Sequence, residues 1–240
     1  MLSGFKLPAG SGLLSFGYWV KVNPMNADDS PAAGRQFNFG VVILGAGASS
    51  RMGKPKLLLP WGKTSVLGHL IAQWQALNAN QIAVVHAAGD QAIGAELDRR
   101  DFPVANRIAN LQPERGMFSS VQCSARWDGW QTELSHWAIV LGDQPHLRHE
   151  TLHAILKFAA VHRQQICQPS WRGRPRHPVI VPKAAFEQLK ESQEEDLKKF
   201  LGALPSGVAL CDLDDPGLDR DLDTPAEYHQ ARHIHQENAG

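Results

Sequence analysis

The stretch Gly40–Trp61, GVVILGAGASSRMGKPKLLLPW, decides how the rest of the chain is read. It opens with the apolar run Val41–Leu44, bounded by glycines and too short for a comfortable helix, which predicts a buried strand of a parallel sheet. The chain then passes through Gly45, Ala46, Gly47, Ala48, Ser49 and Ser50, a small-residue loop whose backbone N–H groups can come close to a ligand. Arg51, Lys54 and Lys56 follow, three cations within six residues. Strand, small-residue loop and cation cluster together describe a site for a polyanionic phosphate chain. The glycines alone fit equally well an ordinary strand-to-loop connection with a solvated basic face.

Two other phosphate motifs do not fit. A Walker A loop needs four residues between its glycine and the Gly-Lys-Ser/Thr; here five separate Gly47 from Gly53, and Pro55 stands where the hydroxyl belongs. The dinucleotide fingerprint begins at Gly45 and Gly47 but meets Ser50 at its third glycine.

Downstream, Thr64 is the expected N-cap of a helix to about Leu77, with Leu67, Leu70, Ile71, Trp74 and Leu77 on one stripe. Strands are expected at Ile82–Val85, Pro103–Ile108 and Trp137–Leu141. Helices are expected at Gln91–Arg99, from Val121, and along Leu152, Ile155, Leu156 and Ala159. This alternation predicts an α/β protein with a mostly parallel central sheet wrapped on both faces. Ligands of such sheets bind beyond the carboxyl ends of the strands, where the opening loop and Asp143 both fall.

The 240 residues allow one α/β domain with a substantial core. It is expected over 39–232, after a poorly ordered leader and linker (1–38) and before a C-terminal tail (233–240). Gly12–Val20 makes a poor signal peptide, Asn26–Gln36 has linker composition, and Met25 is an alternative start. The 24 basic and 24 acidic side chains cancel, which argues against nucleic acid or a membrane surface as partner and for a small anionic ligand. Cys123, Cys167 and Cys211 are odd in number and form no C-x-x-C, so a reducing, cytoplasmic compartment is expected. No run approaches the roughly 18 apolar residues of a membrane span.

Phosphate chemistry commonly recruits a magnesium ion through one or two carboxylates. Asp143, in Gly142-Asp143-Gln144-Pro145 at a strand end, is one candidate, although an aspartate there also serves as a turn residue or cap. A second acidic cluster, DLDDPGLDRDLDTP (Asp212–Pro225), lacks calcium-loop spacing and is otherwise a solvated acidic loop. Asp223-Thr224-Pro225 in it makes a good helix start. A rival motif, His149-Glu150-x-x-His153, has the spacing of a zinc peptidase but none of the metzincin extension, and a polar helix face explains it as well.

Taken whole, Leu44–Gly47, Ser49, Arg51-Met52-Gly53, Lys56 and Leu58–Trp61 resemble the signature of the nucleotidyltransferases related to molybdenum cofactor biosynthesis. Leu141-x-Asp143-x-Pro145 and Asp221-Leu222-Asp223-Thr224-Pro225, with Glu227 and Tyr228, resemble its later blocks. So do Asn110 with Gly116, Met117 and Ser120, and Gly173-Arg174-Pro175-Arg176-His177-Pro178-Val179. The last departs from the cytidylyl branch, having Arg176 where glycine is usual.

The resemblance implies a three-layer Rossmann-like nucleotidyltransferase fold and a magnesium-dependent transfer of NMP from an NTP to a phosphorylated acceptor such as molybdopterin. It implies nucleotide binding by Leu44, Gly45, Ala46, Gly47, Ser49, Arg51, Gly53, Lys56, Asn110 and Ser120. It implies catalysis by Arg51, Lys56, Asp143 and Asp223, with Mg2+ on the two aspartates. Acceptor contacts would come from Gly116, Met117, Pro175 and His177, though packing explains His177 equally well. Leu44-Gly45-Ala46-Gly47 matches the cytidine-selecting loop at its third place and neither family loop at its second. CTP is therefore favoured, with GTP or a sugar-phosphate acceptor as the alternative. Zinc hydrolysis and non-catalytic nucleotide binding are the readings from other classes. Neither a molybdoenzyme nor a chaperone partner is readable from the residues.

Overall fold

The computed structural model describes residues 19–22, 37–47, 55–205 and 207–237. In chain order these form β1 (Trp19–Val22), β2 (Phe39–Leu44), a small hairpin of β3 (Pro60–Trp61) and β4 (Thr64–Ser65), α1 (Val66–Ala76), β5 (Gln81–Ala87), α2 (Gln91–Asp98), β6 (Arg107–Asn110) and α3 (Met117–Arg126). They continue with β7 (His136–Leu141), α4 (His149–Val161), β8 (Ile166–Trp171), β9 (Arg174–Pro175), β10 (Val179–Pro182), α5 (Lys183–Gln188), α6 (Leu197–Ala203), β11 (Val208–Asp212) and α7 (Pro225–Glu237).

The main sheet runs β1-β11-β8-β10-β7-β2-β5-β6, with β9 on β8. β10 lies antiparallel to both β7 and β8, β9 is antiparallel to β8, and the remaining pairs are parallel. This is the mixed, mostly parallel sheet expected. β2 is buried throughout because both of its faces are covered. Val41 and Ile43 join one core with Leu67, Leu70 and Trp74 of α1, Ile93 of α2, Leu152 and Ile155 of α4 and Tyr228 of α7. Val42 and Leu44 join the other, with Phe118 and Val121 of α3, Phe186 of α5 and Phe200 of α6. Helices on both faces of the sheet make three layers.

Several boundaries differ from the expectations. Trp19–Val22, inside the segment read as a poorly ordered leader, pairs with β11 and forms one edge of the sheet. At the other end α7 runs through Arg232 to Glu237, so the tail expected from 233 begins as helix. The cap of α1 is Ser65, whose Oγ accepts from Gly68 N at 3.0 Å; Thr64 is taken up by the β3–β4 hairpin, which Gly62 closes with a φ of +58°. The strand expected from Pro103 starts only at Arg107, where pairing with Val84 begins. α3 starts at Met117 rather than Val121, because Gly116 (φ +83°, ψ −177°) supplies the turn a side-chain cap would otherwise have to stabilise. The Ser119 hydroxyl donates to the Gly116 carbonyl at 2.7 Å.

Candidate active site

The carboxyl ends of β2, β5 and β7 open into one cleft of about 350 Å³. β2 ends at Leu44 beside Leu141 of β7, and each strand is followed at once by a glycine. Gly45 N donates to Val85 O at 2.7 Å, and a Cβ there would stand 2.7 Å from Leu57. A Cβ on Gly142 would stand 2.7 Å from Leu44 O and 2.9 Å from Leu57. The two glycines thus leave room for one buried leucine, Leu57, against both strand ends. Leu57 in turn fixes the short turn Lys56–Leu58 at the cleft wall.

Leu44, Gly45, Ala46, Gly47, Lys56, Gly116, Met117, Ser120 and Asp143, all anticipated from sequence, line this cleft together. Gly116 and Met117, expected on the acceptor side, therefore share a wall with the glycine loop. Ser49, Arg51 and Gly53 lie outside the described residues. Asn110 is 1% exposed and stands behind the wall. Its amide donates to Ser119 and Ser120 Oγ at 2.8 and 3.0 Å, and its Oδ1 accepts from Gln112 N at 2.8 Å. Both ends of the side chain are engaged in shaping the loop before α3.

Asp223 comes from the far end of the sequence to Lys56, at the rim of the cleft. Leu222 is fully buried and its N–H donates to Asp143 O at 3.2 Å, which holds Asp221 and Asp223 on either side of that anchor. Pro225 opens α7, and Thr224 and Glu227 form a reciprocal capping box: Thr224 N donates to Glu227 Oε2 at 2.7 Å and Glu227 N to Thr224 Oγ1 at 3.3 Å. Tyr228 then donates its hydroxyl to Pro60 O and packs on Trp61 with ring centroids 6.3 Å apart. The first and last sequence blocks are therefore in contact.

Lys56 Nζ lies 2.6 Å from Asp223 Oδ1 and 3.5 Å from Asp143 Oδ2. Asp143 Oδ1 is buried without a hydrogen-bond partner. Burial, and then the charge of Asp221, push the Asp143 carboxyl above the usual carboxylate range, with Lys56 pulling the other way. Asp221 itself accepts from Gln144 Nε2 at 3.0 Å. An orphaned buried carboxylate oxygen among further carboxylates fits a hard cation such as magnesium, which takes one or two protein carboxylates and fills its remaining sites from substrate phosphates and water.

Pro175 and His177 stand apart from the cleft lining. Burial lowers the His177 pKa to about 4, opposed by a hydrogen bond to the Ile139 backbone and by the charge of Asp221. Its Nδ1 has no partner. Arg176, the departure from the family glycine, pairs with Asp219 and donates to Pro175 O at 3.0 Å. His149 and His153 are both exposed on α4 with ring centroids 6.2 Å apart, and among the described residues no group of three or more His, Cys, Asp or Glu could hold a metal by itself.

Asp90, Ile93, Pro113 and Gly142 line the cleft without having been anticipated. Asp90 caps α2, its side chain accepting from Ile93 N at 3.0 Å, and an aspartate before a helical stripe is a readable cap signal. Asp221 lay in the open, two residues before the expected ligand.

The model of the MobA-like NTP transferase domain matches residues 41–208, most of the chain. The chain belongs to the MobA-like NTP transferase family. It is a nucleotidyltransferase-family enzyme, and the zinc-hydrolase reading falls with that membership. This MobA-like chain is 25% identical over 197 residues to the molybdenum cofactor cytidylyltransferase of Escherichia coli (strain K12), covering 82% of this chain and 96% of that protein. It is 28% identical over 198 residues to the purine catabolism protein PucB of Bacillus subtilis (strain 168), covering 80% and 94%. In fold it is similar to Rv0371c from Mycobacterium tuberculosis H37Rv, with a TM-score of 0.65, 21% identity and coverage of 82% and 98%. The manganese complex of Rv0371c superposes with a TM-score of 0.62 at 20% identity, covering 82% of this chain and 98% of that one. No helix among the described residues is long and apolar enough to cross a membrane.

Proposed function

We propose that this chain transfers CMP from CTP to a phosphorylated acceptor of the molybdopterin type, releasing pyrophosphate, in a reducing cytoplasm. The observation that carries the reading is the meeting of Lys56, Asp143 and Asp223 at the rim of a glycine-walled cleft. CTP and the acceptor class are supported by the loop Leu44–Gly47 and by the named activity of the E. coli relative.

A terminal phosphate oxygen of the acceptor attacks the α-phosphorus in line. The new P–O bond forms as the bond to the β-phosphate oxygen breaks, and the electron pair leaves with pyrophosphate. Such a transfer is mostly positioning and charge neutralisation. Ala46, Gly47 and Lys56 line the cleft where the β- and γ-phosphates would lie, with Arg51 expected to add a second cation. Asp143 and Asp223 would hold Mg2+, which when bound neutralises the negative charge gathering on the phosphates. Manganese bound by the similarly folded Rv0371c supports a divalent ion of this size. Asn110 keeps Ser119 and Ser120 in place beneath the nucleotide, and Gly116 and Met117 close the same wall.

Thermal-shift measurements with CTP, GTP, ATP and UTP plus magnesium test the base, and preferential stabilisation by GTP overturns the assignment to CTP. Pyrophosphate release with molybdopterin as acceptor tests the reaction. NTP binding without acceptor-dependent release identifies a nucleotide-binding regulator instead.

A further inference from the structure

The site that the reading above gives to a divalent metal already contains a cation. Lys56 Nζ is within 2.6 Å of one carboxylate and 3.5 Å of the other, and its side chain is only 15% exposed. A magnesium ion about 2.1 Å from Asp223 Oδ1 and from a carboxylate oxygen of Asp143 would stand beside an ammonium that hydrogen-bonds the first and pairs with the second at 3.5 Å. Two like charges that close, partly removed from water, repel strongly. Emptying the site of both is also unfavourable, because Asp143 and Asp223, which lie 3.5 and 2.6 Å from the same ammonium, would then face each other across the gap.

The backbone under Lys56 cannot relieve the conflict. Leu57 is pinned between the Gly45 and Gly142 strand ends, so the turn Lys56–Leu58 is fixed. The four-carbon stem of the lysine can move by rotamer changes alone, and Lys56 lines the same cleft as Gly45–Gly47. Incoming phosphate offers the ammonium a second anionic partner on that side.

We propose that Lys56 is a placeholder cation: it occupies the gap between Asp143 and Asp223 until nucleotide phosphate draws it away, so that metal and nucleotide enter as one coupled event and metal alone is held weakly. This rests on Asp143 and Asp223 being the metal ligands. The lysine then has two successive partners, first the carboxylates and then the phosphates. The empty enzyme is kept from binding a divalent ion that has arrived without substrate.

Binding of Mn2+ to the full chain, read by the electron paramagnetic resonance of free Mn2+ and, with nucleotide present, as the signal lost beyond that in the same Mn2+–NTP mixture without protein, tests this without turnover. The nucleotide is an equimolar mixture of the four NTPs with no acceptor, so the result does not depend on the base. Wild type should bind Mn2+ alone weakly, and the NTPs should tighten it roughly tenfold or more. Lys56→Met should bind Mn2+ alone roughly tenfold more tightly than wild type and lose most of the nucleotide effect. Lys56→Arg, which keeps the charge, should stay near wild type, and Lys56→Gln repeats the measurement if the methionine variant does not fold. Mn2+ affinity in Lys56→Met or Lys56→Gln no tighter than wild type, with Asp143→Asn weakening it, overturns the placeholder and leaves the metal site standing. Mn2+ binding unchanged in an Asp143→Asn/Asp223→Asn double variant removes the metal site itself, and the placeholder with it.

Discussion

Lys56 Nζ and Asp223 Oδ1, 167 residues apart in the chain, lie 2.6 Å from each other. The pair closes the circuit between the loop after β2 and the segment before α7, and it puts Asp143 at the centre of the site.

Asp143→Asn should lower turnover by at least about a hundredfold, since it removes a charge that would hold the metal against the substrate phosphates. The same change should leave the melting temperature unchanged or higher. The folded-state pKa of Asp143 is raised, so the fold disfavours its charged form and the neutral isostere is relieved of that at neutral pH. A calorimetric scan beside a pyrophosphate assay checks both; a large drop in melting temperature would contradict the burial argument.

Asn110→Ala should destabilise the protein by about 2–3 kcal/mol, because Gln112 N loses its acceptor and the Ser119 and Ser120 hydroxyls lose their amide donor beside a new void. Urea denaturation measures it. Nucleotide KM should rise more than kcat falls, since the residue shapes the wall and does not touch the reacting atoms.

Gly142→Ala should cost about 1–3 kcal/mol by overpacking. Its Cβ would stand 2.7 Å from Leu44 O, and backbone has little room to give. Because Asp143 is the next residue, kcat should fall in protein that still folds by circular dichroism. Full activity would show that the two strand ends can part without moving the carboxylate.

Stability should fall on mild acidification. His136 and His69 each drop from 6.5 to about 4, chiefly through burial. Their neutral forms belong to the folded state, so the unfolded chain binds more protons between those values. The contribution is whole above about pH 6.5 and is lost as pH falls towards 4, at up to about 1.4 kcal/mol per pH unit for each ring. Urea midpoints at pH 7.5 and 5.0 should separate in wild type and draw closer in His136→Gln. Equal wild-type midpoints would rule this out.

His149→Ala with His153→Ala should change activity by less than about twofold and stability by no more than about 0.5 kcal/mol, both side chains being exposed on α4. Stoichiometric zinc by elemental analysis, lost in the double variant, would reverse that expectation.

The sequence by itself determined the order of the main strands and helices from β2 to α4, because apolar runs and stripes report directly which faces must be buried. It marked the glycine loop and its cations as a phosphate site by residue type and spacing, whereas resemblance to the family signature singled out Asp143 and Asp223. It could not show that Asn110 spends both ends of its amide on Ser119, Ser120 and Gln112, that Trp19–Val22 completes an edge of the sheet, or that α7 continues to Glu237. Those outcomes depend on partners far away in the chain. The tertiary structure alone decided that Leu222, anchored in the core and bonded to Asp143 O, holds Asp223 against Lys56 at the rim of the cleft. It alone decided that Lys56, read along the chain as a phosphate clamp, lies between the two carboxylates, since distance between charges is set by packing and not by spacing in the sequence.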